Sequence, residues 1–264
     1  MRINMKTRLT IIALGTLLVW TGCTRADQAS ESSMIRLTAQ AETGSTRATV
    51  DGASGAFAWE SGDALAIYLS TSGFQTVTLD NTAGNFVLPA ASAAARTAYS
   101  VFPASLVTNA SWSGSALTVN LPTSYSITSA TSDKTPLPMV AENDPGSDFL
   151  FFRHLGALVR IEGLVLPSNT TAVTVTFNKS VTGPFVVDFT GEPKISCAAP
   201  ESGNNVVTFN IDGTPLPTTL NIPVPCGSYS GVTLAGNVDS YSVEFPENFT
   251  LLRHQGKKLS VPEP

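Results

Sequence analysis

Apolar and polar residues alternate along this chain in runs of about four to eight, the period that sends successive side chains to opposite faces of a β-strand. The clearest run is Met34-Ile35-Arg36-Leu37-Thr38-Ala39-Gln40, with Ile35, Leu37 and Ala39 on one face and Arg36, Thr38 and Gln40 on the other. Alternating or wholly apolar runs also cover 64–69, 76–79, 85–88, 98–102 and 117–121. After an interruption they resume at 149–152, 157–166, 172–177, 185–189, 206–211, 220–224, 232–234, 241–245 and 258–261. Clusters such as Thr71-Ser72-Gly73 and Asp80-Asn81-Thr82-Ala83-Gly84 separate them with the residues that turns favour. The interruption spans 133–148, where Pro136, Pro138, Pro145 and Gly146 break the pattern around the short apolar piece Met139-Val140-Ala141. The pattern predicts an all-β protein of two successive β-sandwich domains, 34–146 and 147–264, with the boundary near Gly146.

The longest apolar run lies at the start. Residues 9–19 follow Arg2, Lys6 and Arg8 and lead into Trp20-Thr21-Gly22-Cys23. Such a run is short for a permanent span, and a small pair before cysteine resembles the box cut by lipoprotein signal peptidase. It predicts a signal peptide over 1–22 and a lipidated Cys23, which holds a protein on a membrane without a spanning helix. Residues 23–33 are polar and small and are expected to be a flexible tether.

Composition narrows the partners. Hydrophobic residues make up 42% and charged ones only 13%, enough for packed cores, and the net charge of −5 with no basic cluster argues against nucleic acid. Beyond Cys23, the cysteines are Cys197 and Cys226. In an oxidising compartment they either bridge, closing a loop worth about 3 kcal/mol in the chain-entropy model, or remain two free thiols.

Catalytic chemistry finds little footing. His154 and His254 each sit beside an arginine, Arg153 and Arg253, with no second ligand at metal-binding spacing. Gly227-Ser228-Tyr229-Ser230-Gly231 carries tyrosine where a nucleophile elbow needs its serine. Glu142, Asn143, Asp144 and Asp148 lack the alternate-residue spacing of calcium loops and coincide with the expected interdomain turn. No enzyme, metal or cofactor is expected. For sugar binding on an aromatic platform the candidates are Trp59, Trp112 and Tyr125; Trp59 shares a strand face with Phe57, a pattern of core aromatics, and Trp112 is the more exposed choice.

Several phrases in order carry a resemblance. Thr46-Arg47-Ala48-Thr49-Val50, then Phe57-Ala58-Trp59-Glu60-Ser61-Gly62-Asp63-Ala64-Leu65-Ala66-Ile67-Tyr68, then Tyr99-Ser100-Val101-Phe102-Pro103 resemble the N-terminal domain of the fimbrillin family. Pro138-Met139-Val140-Ala141 with Phe151-Phe152-Arg153-His154-Leu155-Gly156-Ala157-Leu158-Val159-Arg160-Ile161 is similar to its junction, and Gly256-Lys257-Lys258-Leu259 to its closing strand.

The resemblance implies a type V pilus subunit or accessory made of two transthyretin-like sandwiches, exported as a lipoprotein to the outer membrane and the surface fimbrium, and serving adhesion. It implies a trypsin-like cut between Arg47 and Ala48 that removes the first strand with Ile35, Leu37 and Ala39. The uncovered groove then takes a strand from another fimbrial subunit, a heterologous contact that builds filaments. Only Lys258-Leu259-Ser260-Val261 precedes Pro262 at the closing strand, a short donor that favours a tip, anchor or terminator position. The alternative is a monomeric surface lipoprotein that binds glycan or protein and keeps its first strand.

Overall fold

The computed structural model describes residues 34–42, 59–80, 83–89, 96–107, 116–135, 137–142, 147–188, 196–197, 203–238, 240–253 and 255–262. The expected signal peptide, Cys23, the tether over 23–33, Arg47, Ala48, Trp112, Asn143, Asp144 and His254 lie outside them. The described residues form strands in four sheets and a single 3₁₀ turn at Ala104–Leu106.

The largest sheet has seven strands in the order β3 (Gly73–Thr78), β2 (Ala64–Leu69), β5 (Arg96–Phe102), β8 (Met139–Glu142), β9 (Phe149–His154), β1 (Met34–Ala41), β4 (Asn85–Pro89). Its two edge strands, β3 and β4, are consecutive in the chain. Lying flat, they would be six strand spacings apart, about 29 Å. The connection from Thr78 to Asn85 reaches at most about 25 Å even when fully extended, and its ends are drawn together by the Asp80 N–H donating to the Asn85 carbonyl at 2.8 Å. The sheet therefore curls. Its concave face holds one core: Leu37 and Ala39 of β1, Leu65, Ile67 and Leu69 of β2, Phe86 and Leu88 of β4, Phe102, Met139, Ala141, Leu150 and Phe152, with Trp59 and Leu79 between strands.

The convex face is covered over β2, β5 and β8 by a small sheet of β13 (Ser196–Cys197), β12 (Gly183–Asp188) and β6 (Ala116–Leu121). Leu117, Val119, Leu121, Phe185 and Val187 pack there on Ala66, Val101 and Val140. Over β9, Phe149 and Phe151 are 55% and 43% exposed.

A second sandwich stacks β15 (Thr219–Val224), β10 (Ala157–Glu162) and β18 (Gly256–Ser260) against a five-stranded sheet of β17 (Ser242–Leu251), β16 (Gly227–Gly236), β11 (Ala172–Phe177), β14 (Val206–Ile211) and β7 (Ser124–Ile127). Its core includes Val159, Ile161, Val173, Val175, Phe177, Phe209, Ile222 and Leu259.

The boundary expected at Gly146 does not divide these sheets. β9 lies beyond it yet pairs with β1 and β8, β12 returns from the second half to pair with β6, and β7 leaves the first half to pair with β14. The composition of a segment signals where the strand pattern breaks and not which sheet the chain rejoins. The long run expected over 157–166 stops at Glu162, since Gly163 has φ +77° and turns the strand.

Candidate functional site: the seat of the first strand

β1 is an inserted strand, not an edge. Its N-terminal half pairs antiparallel with β4, from Met34 opposite Pro89 to Thr38 opposite Asn85. Its C-terminal half pairs parallel with β9, from Thr38 opposite Phe149 to Ala41 opposite Phe152. Period-two alternation explains the seating: Leu37 and Ala39 are 0% and 1% exposed, Ile35 and Ala41 are partly buried against the same core, and Arg36 and Gln40 face out. The expectation that Ile35, Leu37 and Ala39 share the inner face describes this geometry. Burial of Leu37 alone is worth about 1.5–3 kcal/mol.

The backbone is held on both sides. Thr38 and Glu42 donate their N–H groups to the Asp148 and Phe152 carbonyls at 2.9 and 2.8 Å, while Ala39 donates to Gly84 at 2.8 Å. The Ala39 carbonyl in turn accepts the indole N–H of Trp59 at 3.0 Å. Trp59 is 6% exposed and packs edge-to-face on Phe102 and Phe152, with ring centroids 5.1 and 5.7 Å away. It is therefore part of this seat and not a sugar platform. Gly84 completes the clamp: at φ +76°, a Cβ there would stand 2.3 Å from the Ala39 oxygen and 2.9 Å from the Trp59 ring.

Glu42 locks the end of the strand. Its Oε1 accepts the His154 backbone N–H at 2.8 Å and a short charge-assisted bond from Arg253 Nη1. Arg253 lies in the turn between β17 and β18, so the first strand is tied directly to the second sandwich. Loop position gave no sign of this role, because the two partners are 211 residues apart in sequence.

β4 has no hydrogen-bonded neighbour other than β1 among the described strands. Withdrawing β1 thus opens a slot with an apolar floor and two unpaired strand edges, and leaves β4 without a ladder. Arg47 follows the last residue of β1 by six positions, on the connection toward Trp59.

The remaining sequence candidates are structural or apart from the seat. His154 is buried, at 3% exposure, and Tyr125 stacks on Phe209 at 5.5 Å within the β7–β14 pairing. Tyr229 is a core residue whose hydroxyl donates to the Pro225 carbonyl at 2.6 Å. Glu142 ends β8, and the Asp148 carbonyl serves the β1 ladder; no group of three or more metal-ligating side chains occurs among the described residues. Cys226 carries a free thiol, so this structure holds no bridge from it to Cys197. Burial pushes that thiol up, opposed by the nearby Arg253 and Lys179 charges. Lys179 donates to the Cys226 carbonyl at 3.2 Å and rests 4.2 Å from the Tyr229 ring centre, and burial pushes its own pKa down.

No protein-family model matches the chain, and no curated protein matches it. Among solved structures it is similar to a candidate cell adhesion protein of Bacteroides uniformis, at 17% identity and a TM-score of 0.47, over 86% of this chain and 93% of that one. A candidate cell adhesion protein of Bacteroides ovatus is similar at 12% identity and a TM-score of 0.47, over 85% and 91%. A fimbrial protein of Bacteroides ovatus is similar at 11% identity and a TM-score of 0.37, over 85% of this chain and 48% of that one.

Proposed function

We propose that this chain is a fimbrial subunit or accessory of the cell surface that supports adhesion and joins other subunits by strand exchange at the seat of β1. The observation that carries the reading is the insertion of β1 between β4 and β9, since an inserted strand can be replaced and not merely extended. The sequence adds the remainder: export as a lipoprotein on Cys23 to the outer membrane, then a cut between Arg47 and Ala48 that frees β1 together with Glu42. Several kcal/mol of apolar burial and the open edges of β4 and β9 then favour uptake of a strand supplied by another subunit.

The test is the mature N-terminus of the protein taken from its native surface, read by mass spectrometry. A start at Ala48 is expected. A lipidated Cys23 on a chain that retains β1 overturns strand exchange and favours the second reading, a tethered binding lipoprotein. The exposure of Phe149 and Phe151 on β9 supports that second reading.

A further inference from the structure

We propose that the seat selects its incoming strand by size at one position, admitting alanine or glycine where Ala39 now sits and a large aliphatic residue two positions earlier. This rests on the strand-exchange reading and adds the chemistry of the partner: a strand of another chain with the inward pattern large, large, small, small, running parallel to β9.

The pattern is set by Ile35, Leu37, Ala39 and Ala41 and by what surrounds them. Residue 39 is clamped from two sides, its N–H on the Gly84 carbonyl and its carbonyl on the Trp59 indole. Neither clamp can retreat. Gly84 already stands where a single added carbon would collide with the Ala39 oxygen, and Trp59 is wedged against Phe102 and Phe152. The backbone is fixed there, and the side chain is 1% exposed in the core cluster that also holds Trp59, Phe102 and Phe152. Close-packed interiors resist such additions. Two residues earlier, Leu37 lies opposite Phe86 and is 0% exposed.

Direction is fixed by the same hydrogen bonds. Thr38 and Glu42 donate to β9, so Gln40 shares their phase, and Ala39 points its N–H to the opposite side. A donor therefore needs an N–H at the position of Gln40 and a carbonyl at 39 for Trp59. The segment Gly256–Pro262 of this chain fails on size at 39 and on the N–H at 40. Placing Leu259 at the Leu37 site puts Val261 at the Ala39 site and Pro262, which has no N–H, at Gln40. Placing Val261 at the Leu37 site puts Glu263 at the Ala39 site. That segment is therefore a poor donor for the seat.

Two experiments separate this selection from strand exchange itself. In the intact full-length protein, A39L and Q40L are compared by thermal unfolding; a clear loss for A39L with little change for Q40L is expected, and equal behaviour of the two overturns the size selection. Protein cut after Arg47 by a trypsin-like protease is then offered labelled peptides of the sequence 34–41, either native or carrying A39L or Q40L. Native and Q40L peptides are expected to be captured alike, with A39L about tenfold weaker or more. Equal capture of A39L overturns the selection. Capture of none overturns strand exchange, and the intact-chain comparison then decides the selection alone.

Discussion

Trp59 does two jobs with one side chain: its ring fills the concave core, and its N–H satisfies the Ala39 carbonyl. Substituting W59F keeps most of the ring and removes the donor, leaving a buried carbonyl without its partner. A loss of about 1–3 kcal/mol is expected in denaturant unfolding, and amide exchange at Ala39 and Gln40 should quicken more than elsewhere in β1. Glu42 works differently, because it holds a backbone N–H and a guanidinium at once in a partly buried site. A double-mutant cycle over E42A and R253A should return a coupling of about 0.5–3 kcal/mol. A coupling near zero would show that the ion pair adds nothing beyond the bond to His154. Neither role could be read from the sequence. The Phe-x-Trp spacing identified a core aromatic, but a hydrogen bond to a carbonyl twenty residues away and an ion pair across 211 residues leave no local pattern.

At the scale of elements, β4 depends on its neighbour. With β1 in place its β1-facing amides, those of Phe86 and Leu88, are paired; after cleavage at Arg47 and removal of the strand, hydrogen exchange at these two should rise sharply, while β2 and β5 keep their protection. Unchanged protection of β4 would mean that the sheet closes over the gap. β10 and β18 are joined by Glu162, which bonds Lys258 across the parallel pair and Arg160 two residues back on its own strand. Chiefly the Lys258 bond, then Arg160, holds its carboxyl below the ordinary glutamate value of 4.5, against the opposing effect of burial. A lowered folded-state pKa means that the stabilisation is fully present above the unfolded value and is lost as pH falls through the folded one. Stability of E162Q should therefore fall less steeply on acidification than that of the parent chain, as followed by denaturant midpoints.

Alternation revealed β1, β11 and β14 because each has one face in a core, whereas β2 read as a wholly apolar run because both of its faces are covered, and β10 as a mostly apolar run. β7 escaped, since Ser124-Tyr125-Ser126-Ile127 is an edge strand between Pro122 and a turn, with two of its four residues exposed. β16 and β17 run ten residues each, much longer than their apolar stretches, because Gly231 sits at a bulge and Pro246 interrupts the pattern without ending the pairing.

For the whole molecule, strand sharing matters more than any single contact. β6 and β7 are one run of chain separated by Pro122 and Thr123, the first serving the curled sheet's cover and the second the other sandwich. A fragment 34–146 lacks β9 and β12, and a fragment 147–264 lacks β7. Each fragment alone is expected to show poor dispersion in amide NMR spectra, and the full chain to unfold in a single calorimetric transition. Two well-separated transitions, or a well-folded 34–146, would mean that the halves are independent after all. The sequence made the all-β character plain because two-residue periodicity is local; the crossing of chain between sheets depends on partners far apart and is invisible to it.

The splice in β1, with β4 along one half and β9 along the other and an overlap at Thr38, has a mechanical consequence. A pull along the axis of any strand seated there loads both ladders in shear, so its hydrogen bonds resist together and not one after another. Bending β4 away peels only the first half and leaves the grip of β9, Trp59 and the Glu42 position intact. A joint made this way is strong along its length and yields at its side.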